Sequence, residues 1–278
     1  MLVRLNGGLG NQMFQYAFGR CVSRVRREDV LFYKVGLGPG CHRAYGLDVF
    51  NVRDVRFGGG GGPFFDESHL IFDPQVYKVP NGTNFRGCWQ TEKYFEPEPD
   101  LIRRDFTLRN PVGEQTKRVA DAIAAAPQSA FIHVRRTDYL GAGQAAFHGN
   151  MTWDYYAEAM QYVRERIADA KFFVFSDDPD GCRERFADCT IVDHNKMGFG
   201  DSPGHEHEDL WLMSLCRHAI FPNSSFGWWG AWLGDTQADR IVIAPKKWFG
   251  NAPVRYDDVV PERWVKMGEP GTVPAIKL

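Results

Sequence analysis

Apolar positions along this chain recur in two rhythms, short continuous runs and a three-to-four-residue spacing. Leu2 to Leu5 is an apolar run read as a strand, closed by the glycine-rich turn Asn6-Gly7-Gly8-Leu9-Gly10-Asn11-Gln12. Beyond the turn, Phe14, Phe18, Cys21 (with Val22) and Val25 mark one buried face of a helix. Arg24, Arg26 and Arg27 fall in its last turn, where cations complement the helix dipole. Val30 to Val35 reads as a strand. Gly58 to Gly62, followed by Pro63, excludes regular structure and reads as a loop, either an acceptor-site lid or an inert linker. Asn84 to Trp89 predicts a strand leading into Gln90-Thr91-Glu92-Lys93-Tyr94-Phe95. Prolines at 97, 99 and 111 punctuate the next segment, which places a domain boundary near 111.

The second half is more regular. A helix is expected over Glu114 to Ala126, stopped by Pro127, then a strand from Ser129 to His133 and a loop from Gly141 to Asn150. Thr152 can cap a helix whose Tyr156, Met160, Val163 and Ile167 share a face. A strand at Lys171 to Phe175, a short helix, a strand at Thr190 to Val192 and a helix from Glu206 to His218 come next. Ala219 to Phe221, a helix from Phe226 to Leu233 and Ile241 to Ala244 complete the series. Strands alternating with helices at this spacing predict a parallel, doubly wound α/β sheet. The domains are expected to be an N-terminal α/β domain over 1–111 and a C-terminal one over 112–278.

Composition narrows the picture. A chain of 278 residues suits two domains at roughly 150 residues each. A net charge of −2 removes the basic excess expected of a nucleic-acid binder. No run approaches the ~20 apolar residues of a membrane span, and the start lacks a signal-peptide core, so the expected location is cytoplasmic. The six cysteines form no Cys-x-x-Cys pair and read as small buried apolar residues.

Chemistry concentrates where predicted strands end. His133-Val134-Arg135-Arg136-Thr137-Asp138-Tyr139 follows a buried strand, at the edge where open parallel sheets hold ligands. Arginine grips phosphate oxygens with a fixed fork, so the motif predicts a phosphate-carrying ligand; a surface salt-bridge cluster is the bland alternative. Asn223-Ser224-Ser225-Phe226 lies between a strand end and a helix start. There the serine hydroxyls and backbone N–H groups either receive a phosphate or simply cap the helix. Trp228 and Trp232, one turn apart, read as core. Asp177 and Asp178 end a further strand, where a carboxylate can accept from the N1 and N2 groups of guanine. Asp178-Pro179-Asp180 spells D-x-D, but the intervening proline favours a helix cap over a metal pair. His205 and His207, two apart, do not share a helical face, so no metal site is expected.

These motifs, with Tyr45-Gly46-Leu47-Asp48-Val49-Phe50, Trp89 to Phe95, His148-Gly149-Asn150 and Asp209-Leu210, resemble the bacterial α-1,2-fucosyltransferases of glycosyltransferase family 11. The resemblance covers nearly the whole chain. It implies two Rossmann-like domains of the GT-B kind, GDP-fucose on the C-terminal domain and the acceptor on the N-terminal one. It implies inverting transfer to the 2-hydroxyl of a terminal galactose, without metal or cofactor. Arg135 inherits the pyrophosphate, His133 with Asp177 or Asp178 the guanine, and Arg136, Asn223, Ser224, Ser225 and Phe226 the rest of the donor site. Gly8, Gly10, Asn11 and Gln12 face phosphate or fucose from the other domain.

One departure matters. The related α-1,6 enzymes carry a glutamate base after the arginine motif, where this chain has Gly143-Gln144-Ala145. Asp138 is the lead replacement, with pairing to Arg136 as its competing role; Glu92 and His148 are reserves. The acceptor stays open between a free oligosaccharide and a lipid-linked glycan at the inner face of the bacterial membrane. Another linkage, or a sugar- or nucleotide-binding module without turnover, remains the alternative.

Overall fold

The structure, a computed structural model, describes the 278 residues except 39, 42, 54, 137–148, 196–203, 237, 251–252 and 270–278. Two all-parallel sheets organise it, and the chain divides into two compact units. The first holds Met1–Pro111 and Val254–Pro261; the second holds Val112–Met197, Gly204–Pro253 and the chain from Glu262 onward. Nothing in the hydrophobic rhythm marked the return of Val254–Pro261. It is fixed by Asp258, whose carboxylate accepts from Phe72 N at 2.8 Å and Lys93 Nζ at 2.6 Å.

In the first unit the elements are β1 (Leu2–Leu5), α1 (Leu9–Arg26), β2 (Leu31–Lys34), β3 (Phe64–Asp66), β4 (Asn84–Arg86) and α2 (Pro99–Asp105). The sheet order is β2-β1-β4-β3. Val3, Leu5, Phe32 and Phe85 are fully buried on one sheet face. Gly19 lets α1 lie close to it: a Cβ there would stand 3.0 Å from the Phe32 ring and 3.2 Å from Val3. The single stripe expected for α1 is too narrow, because the helix is buried almost all round from Leu9 to Ser23. Its buried polar groups are paired, as burial requires: Arg20 and the Tyr16 hydroxyl both reach Asp105, at 3.0 and 2.8 Å. Val25, expected in the core, is 57% exposed. The last turn is held instead by Arg26, which donates to the Val76 and Val79 carbonyls at 3.0 and 2.9 Å.

The strand expected over Asn84 to Trp89 stops at Arg86. The Glu67 carboxylate takes the N–H groups of Cys88 (2.6 Å) and Trp89 (3.1 Å), and Trp89 turns left-handed at φ 57°. Its ring stacks on Phe18 at 4.0 Å.

The second unit runs α3 (Glu114–Ala124), β5 (Ser129–Val134), α4 (Trp153–Arg164), β6 (Lys171–Ser176), α5 (Pro179–Arg185), β7 (Thr190–Val192), α6 (Glu206–Leu215), β8 (His218–Ile220), α7 (Ser225–Leu233), β9 (Val242–Pro245) and β10 (Val265–Met267). The sheet order is β10-β9-β8-β5-β6-β7, so β5 is central and buried at every residue. Ala130, Ile132 and Val134 join Tyr156, Met160 and Val163 of α4 in one core. Thr152 caps α4 as expected, its hydroxyl accepting from Tyr155 N at 3.4 Å. The helix expected to reach His218 ends at Leu215, because His218 is drawn into β8; its Nδ1 accepts from Ile241 N at 3.1 Å. Among the described residues no helix is long and apolar enough to cross a membrane. All six cysteines are free, and Cys21, Cys182 and Cys216 are buried.

Candidate active site

The parallel register of β5 on β6 decides the centre of the second unit. Val134 lies opposite Ser176, so the residues just beyond the two strand ends, Arg135 and Asp177, emerge side by side. Asp177 accepts from Arg136 N at 2.8 Å with Oδ1 and holds Arg135 Nε at 3.3 Å with Oδ2. Both side chains are largely buried, at 13% and 8% exposure, which strengthens the pair relative to one in water. Arg136 points elsewhere: its guanidinium lies 4.5 Å from the Trp153 ring centre and 3.9 Å from Asp178. The two arginines therefore divide, the first held at the strand edge and the second packed on α4.

His133 faces the opposite layer. A Cβ on Gly227 would fall 2.7 Å from His133 Nδ1 and 2.8 Å from Phe221 Cβ, so only glycine lets α7 approach this strand. Phe226 packs on the imidazole, centroids 5.6 Å apart. Nδ1 is buried and makes no hydrogen bond among the described residues. Burial, then the neighbouring Arg135 charge, pushes the imidazole down to about 3 against the opposing pull of Asp177. The ring is thus neutral at working pH and suited to hydrogen bonding rather than proton removal.

At the start of α7, Ser224 occupies the N-cap position, yet its side chain makes no capping hydrogen bond. Simple capping does not explain this serine. Asn223 instead ties loops together, its amide donating to the Gly149 and Trp248 carbonyls at 3.2 and 3.1 Å. Trp228 and Trp232 are core, stacked at 6.2 Å and buried.

Asp178 caps α5, accepting from Gly181 N at 3.2 Å, while Asp180 lies in the first turn and pairs with Arg183. His205 and His207 depart from the spacing argument. His205 sits outside the helix as the N-cap of α6, so ligand atoms of His205, His207 and Glu208 come within 4.8 Å of one another. Glu208 is already engaged by the Thr116 hydroxyl.

In the first unit, Gly8 is the N-cap of α1, and Gly10 and Asn11 lie in its first turn. Gly7 is left-handed at φ 76°. Asn11 Oδ1 accepts from Gln90 Nε2 at 2.9 Å, which joins the first loop to the segment after β4. Gln12 has no N–H left for a phosphate: it donates to Gly7 O (3.0 Å) and Ala44 O (2.9 Å) and accepts from Gly46 N (3.0 Å). Glu92, half-buried, starts a short 3-10 turn over Glu92–Tyr94. Asp138 and His148 lie outside the described residues.

A family model, Glycosyl transferase family 11, matches residues 72–267. The chain belongs to glycosyltransferase family 11. The family 11 chain is 32% identical to an alpha-1,2-colitosyltransferase of Escherichia coli, over 96% of this chain and 98% of that protein. It is 31% identical to galactoside alpha-(1,2)-fucosyltransferase 1 of Mus musculus, over 83% of this chain and 63% of that protein. Among solved structures, a NodZ alpha-1,6-fucosyltransferase soaked with GDP-fucose is similar at a TM-score of 0.48 and 15% identity, covering 84% of this chain and 91% of that one. The protein is a glycosyltransferase built of two parallel α/β units.

Two acids of this family 11 enzyme had no role assigned from the sequence, although Asp209 belongs to one of the motifs that carry the resemblance. Asp209 is pushed up to about 7 by burial, with Asn195 Nδ2 donating to it at 2.7 Å. In sequence it looks like an ordinary acid in the first turn of a helix. Glu67, in the first unit, is likewise raised to about 7 by burial against the lowering effect of its two backbone hydrogen bonds. No motif surrounds it, so no sequence signal pointed there.

Proposed function

We propose that this enzyme transfers L-fucose from GDP-β-L-fucose to the 2-hydroxyl of a galactose-terminated glycan, with inversion, forming an α-1,2 link. One observation carries the reading: Arg135, held by Asp177 at the end of the central strand, stands on the same sheet edge as α7, whose N-cap hydroxyl is not used for capping. A departing GDP needs its growing negative charge met by donors already in place, and such preorganised electrostatics is often the largest catalytic term. Arg135, with the Ser224 and Ser225 region and the N–H groups opening α7, supplies it. His133, kept neutral, contacts guanine. Asp177 positions Arg135, since both its oxygens are engaged. Asp178 is the weaker guanine candidate because it caps α5.

Asp138 is the lead candidate to take the acceptor proton, with Glu92 and His148 held in reserve. Charge stabilisation of this kind requires no metal, and undiminished turnover in EDTA is the expected result. The linkage rests on the names of two relatives, both α-1,2 transferases. A second donor is favoured by one of them, the E. coli colitosyltransferase, which keeps the linkage and changes the sugar. Incubation with GDP-fucose or GDP-colitose and a panel of galactosides, read by mass spectrometry and product NMR, tests both. An α-1,2-fucosyl product supports the proposal; a different linkage, or transfer of colitose alone, refutes it.

A further inference from the structure

The histidines that open α6 are absorbed neither by the donor site nor by the core. Among the described residues, His205, His207 and Glu208 form the one group of three metal-ligating side chains whose ligand atoms lie within 4.8 Å of one another. Helical spacing alone would send residues 205 and 207 to different faces; the group forms because His205 precedes the helix, at its N-cap. All three residues belong to the second unit, and α6 begins beyond β7, an edge strand. Arg135 follows β5, two strands away in the same sheet.

The glutamate is already aimed. Thr116 is 1% exposed; its hydroxyl donates to Glu208 Oε2 and stands 2.8 Å from His194 Nε2. A hydroxyl has one proton to give, so His194 Nε2 donates to the threonine oxygen and the relay ends on the carboxylate. It fixes the direction of the side chain while occupying one oxygen only. Glu208 Oε1 lies 3.6 Å from His205 Nδ1, too far for a hydrogen bond. That gap is close to the edge of a zinc tetrahedron, where ligands ~2.0–2.1 Å from the ion stand roughly 3.4 Å apart. The His205 side chain is 65% exposed, so it can rotate to close the remaining distance. The start of α6 opposes a cation by about half a charge, but Glu206 and Glu208 in its first turn outweigh that.

The donor set selects the ion. Magnesium and calcium take oxygen ligands, whereas two imidazoles and a carboxylate suit a borderline transition ion. Two histidines and a glutamate, with a fourth position left to water, are a zinc set. A partner that orients a ligating carboxylate, as Thr116 does here, is a regular part of such sites. We propose that His205, His207 and Glu208 bind one Zn2+ ion, with Thr116 orienting the glutamate. The ion ties the residue ahead of α6 to the first turn of the helix. It takes no part in the proposed transfer reaction, so zinc binding and turnover in EDTA are independent results.

The test uses the full chain stripped with EDTA and exchanged into chelator-free buffer. Calorimetric titration with ZnCl2 should give one saturable site, and Mg2+ at the same concentrations should give none. His205→Ala, at an exposed position, and His207→Ala should each weaken zinc at least ~10-fold, the lower end of what even an outer-shell change costs. Thr116→Val should do the same, and Thr116→Ser, which keeps the hydroxyl, should restore wild-type affinity. Zinc should raise the melting temperature of wild type and leave that of His205→Ala unmoved. Co2+ in place of zinc should show visible bands without a thiolate charge-transfer band, which separates this site from the six free cysteines. Absence of saturable zinc binding, a thiolate band in the cobalt form, or unchanged affinity in either histidine variant or in Thr116→Val would overturn the proposal.

Discussion

Gly227→Ala probes the contact that joins the arginine strand to α7. The added methyl would sit 2.7 Å from His133 Nδ1 and 2.8 Å from Phe221 Cβ, both inside the closest normal approach. Neither neighbour yields easily: His133 is a buried strand residue, and the Phe221 atom is rooted to the backbone. Relief requires α7 to lift or the imidazole to swing away. Overpacking of this kind costs ~1–3 kcal/mol. For a unit of this size it lowers the melting temperature by roughly 2–12 °C, at about 2–4 °C per kcal/mol. The control is Gly230→Ala, one turn on, whose methyl meets Met213 at 2.9 Å. The nearest atom is Met213 Cβ, as firmly rooted as Phe221 Cβ, and no His133 atom is among the nearest neighbours, so this variant should lose stability without losing ligand. Scanning fluorimetry with and without GDP, backed by calorimetric titration, reads both. Gly227→Ala should weaken GDP at least ~10-fold, whereas Gly230→Ala should keep the wild-type affinity. Equal GDP affinity in the two variants, or an unchanged melting temperature in Gly227→Ala, would refute the reasoning.

Asp177→Asn keeps an acceptor for Arg136 N but removes the charge that holds Arg135; kcat should fall ~10–10²-fold, the scale of a misplaced catalytic group, with a smaller change in donor KM. Wild-type kcat would show that Arg135 needs no such partner. Asp209 titrates far above the usual aspartate range, so its protonated form favours folding at acid pH and that contribution is lost as pH rises through about 7. Asp209→Asn keeps the oxygen that Asn195 reaches; it should therefore match wild type near pH 4 and melt higher than wild type at pH 8. The same difference at both values would contradict the burial argument.

Much of the second unit was legible because its strands are continuous apolar runs and its helices carry clean stripes. Val134 and Ser176 end neighbouring strands, and that alone sets Arg135 beside Asp177. The first unit was harder. Its β3 and β4 hold three residues each, too few for a period, and α1 is buried nearly all round, so a one-face reading misplaced Val25. Cap geometry was the other blind spot. His205 leaves the helix just before α6 begins, which brings it to His207 despite their spacing. Gln12 looked like a phosphate donor, but only the fold reveals that Ala44 and Gly46 take its amide. The raised acids Asp209 and Glu67 depend on burial, which a single first-turn or loop position does not announce.

The central claim is that Arg135 receives the diphosphate of the donor. Calorimetric titration of wild type and Arg135→Ala with GDP and with guanosine isolates that contact. GDP affinity should drop at least ~10-fold in the variant, as expected for a lost charged hydrogen bond, while guanosine affinity stays unchanged. Equal GDP affinity in the two proteins, or an equal loss for guanosine, would contradict it.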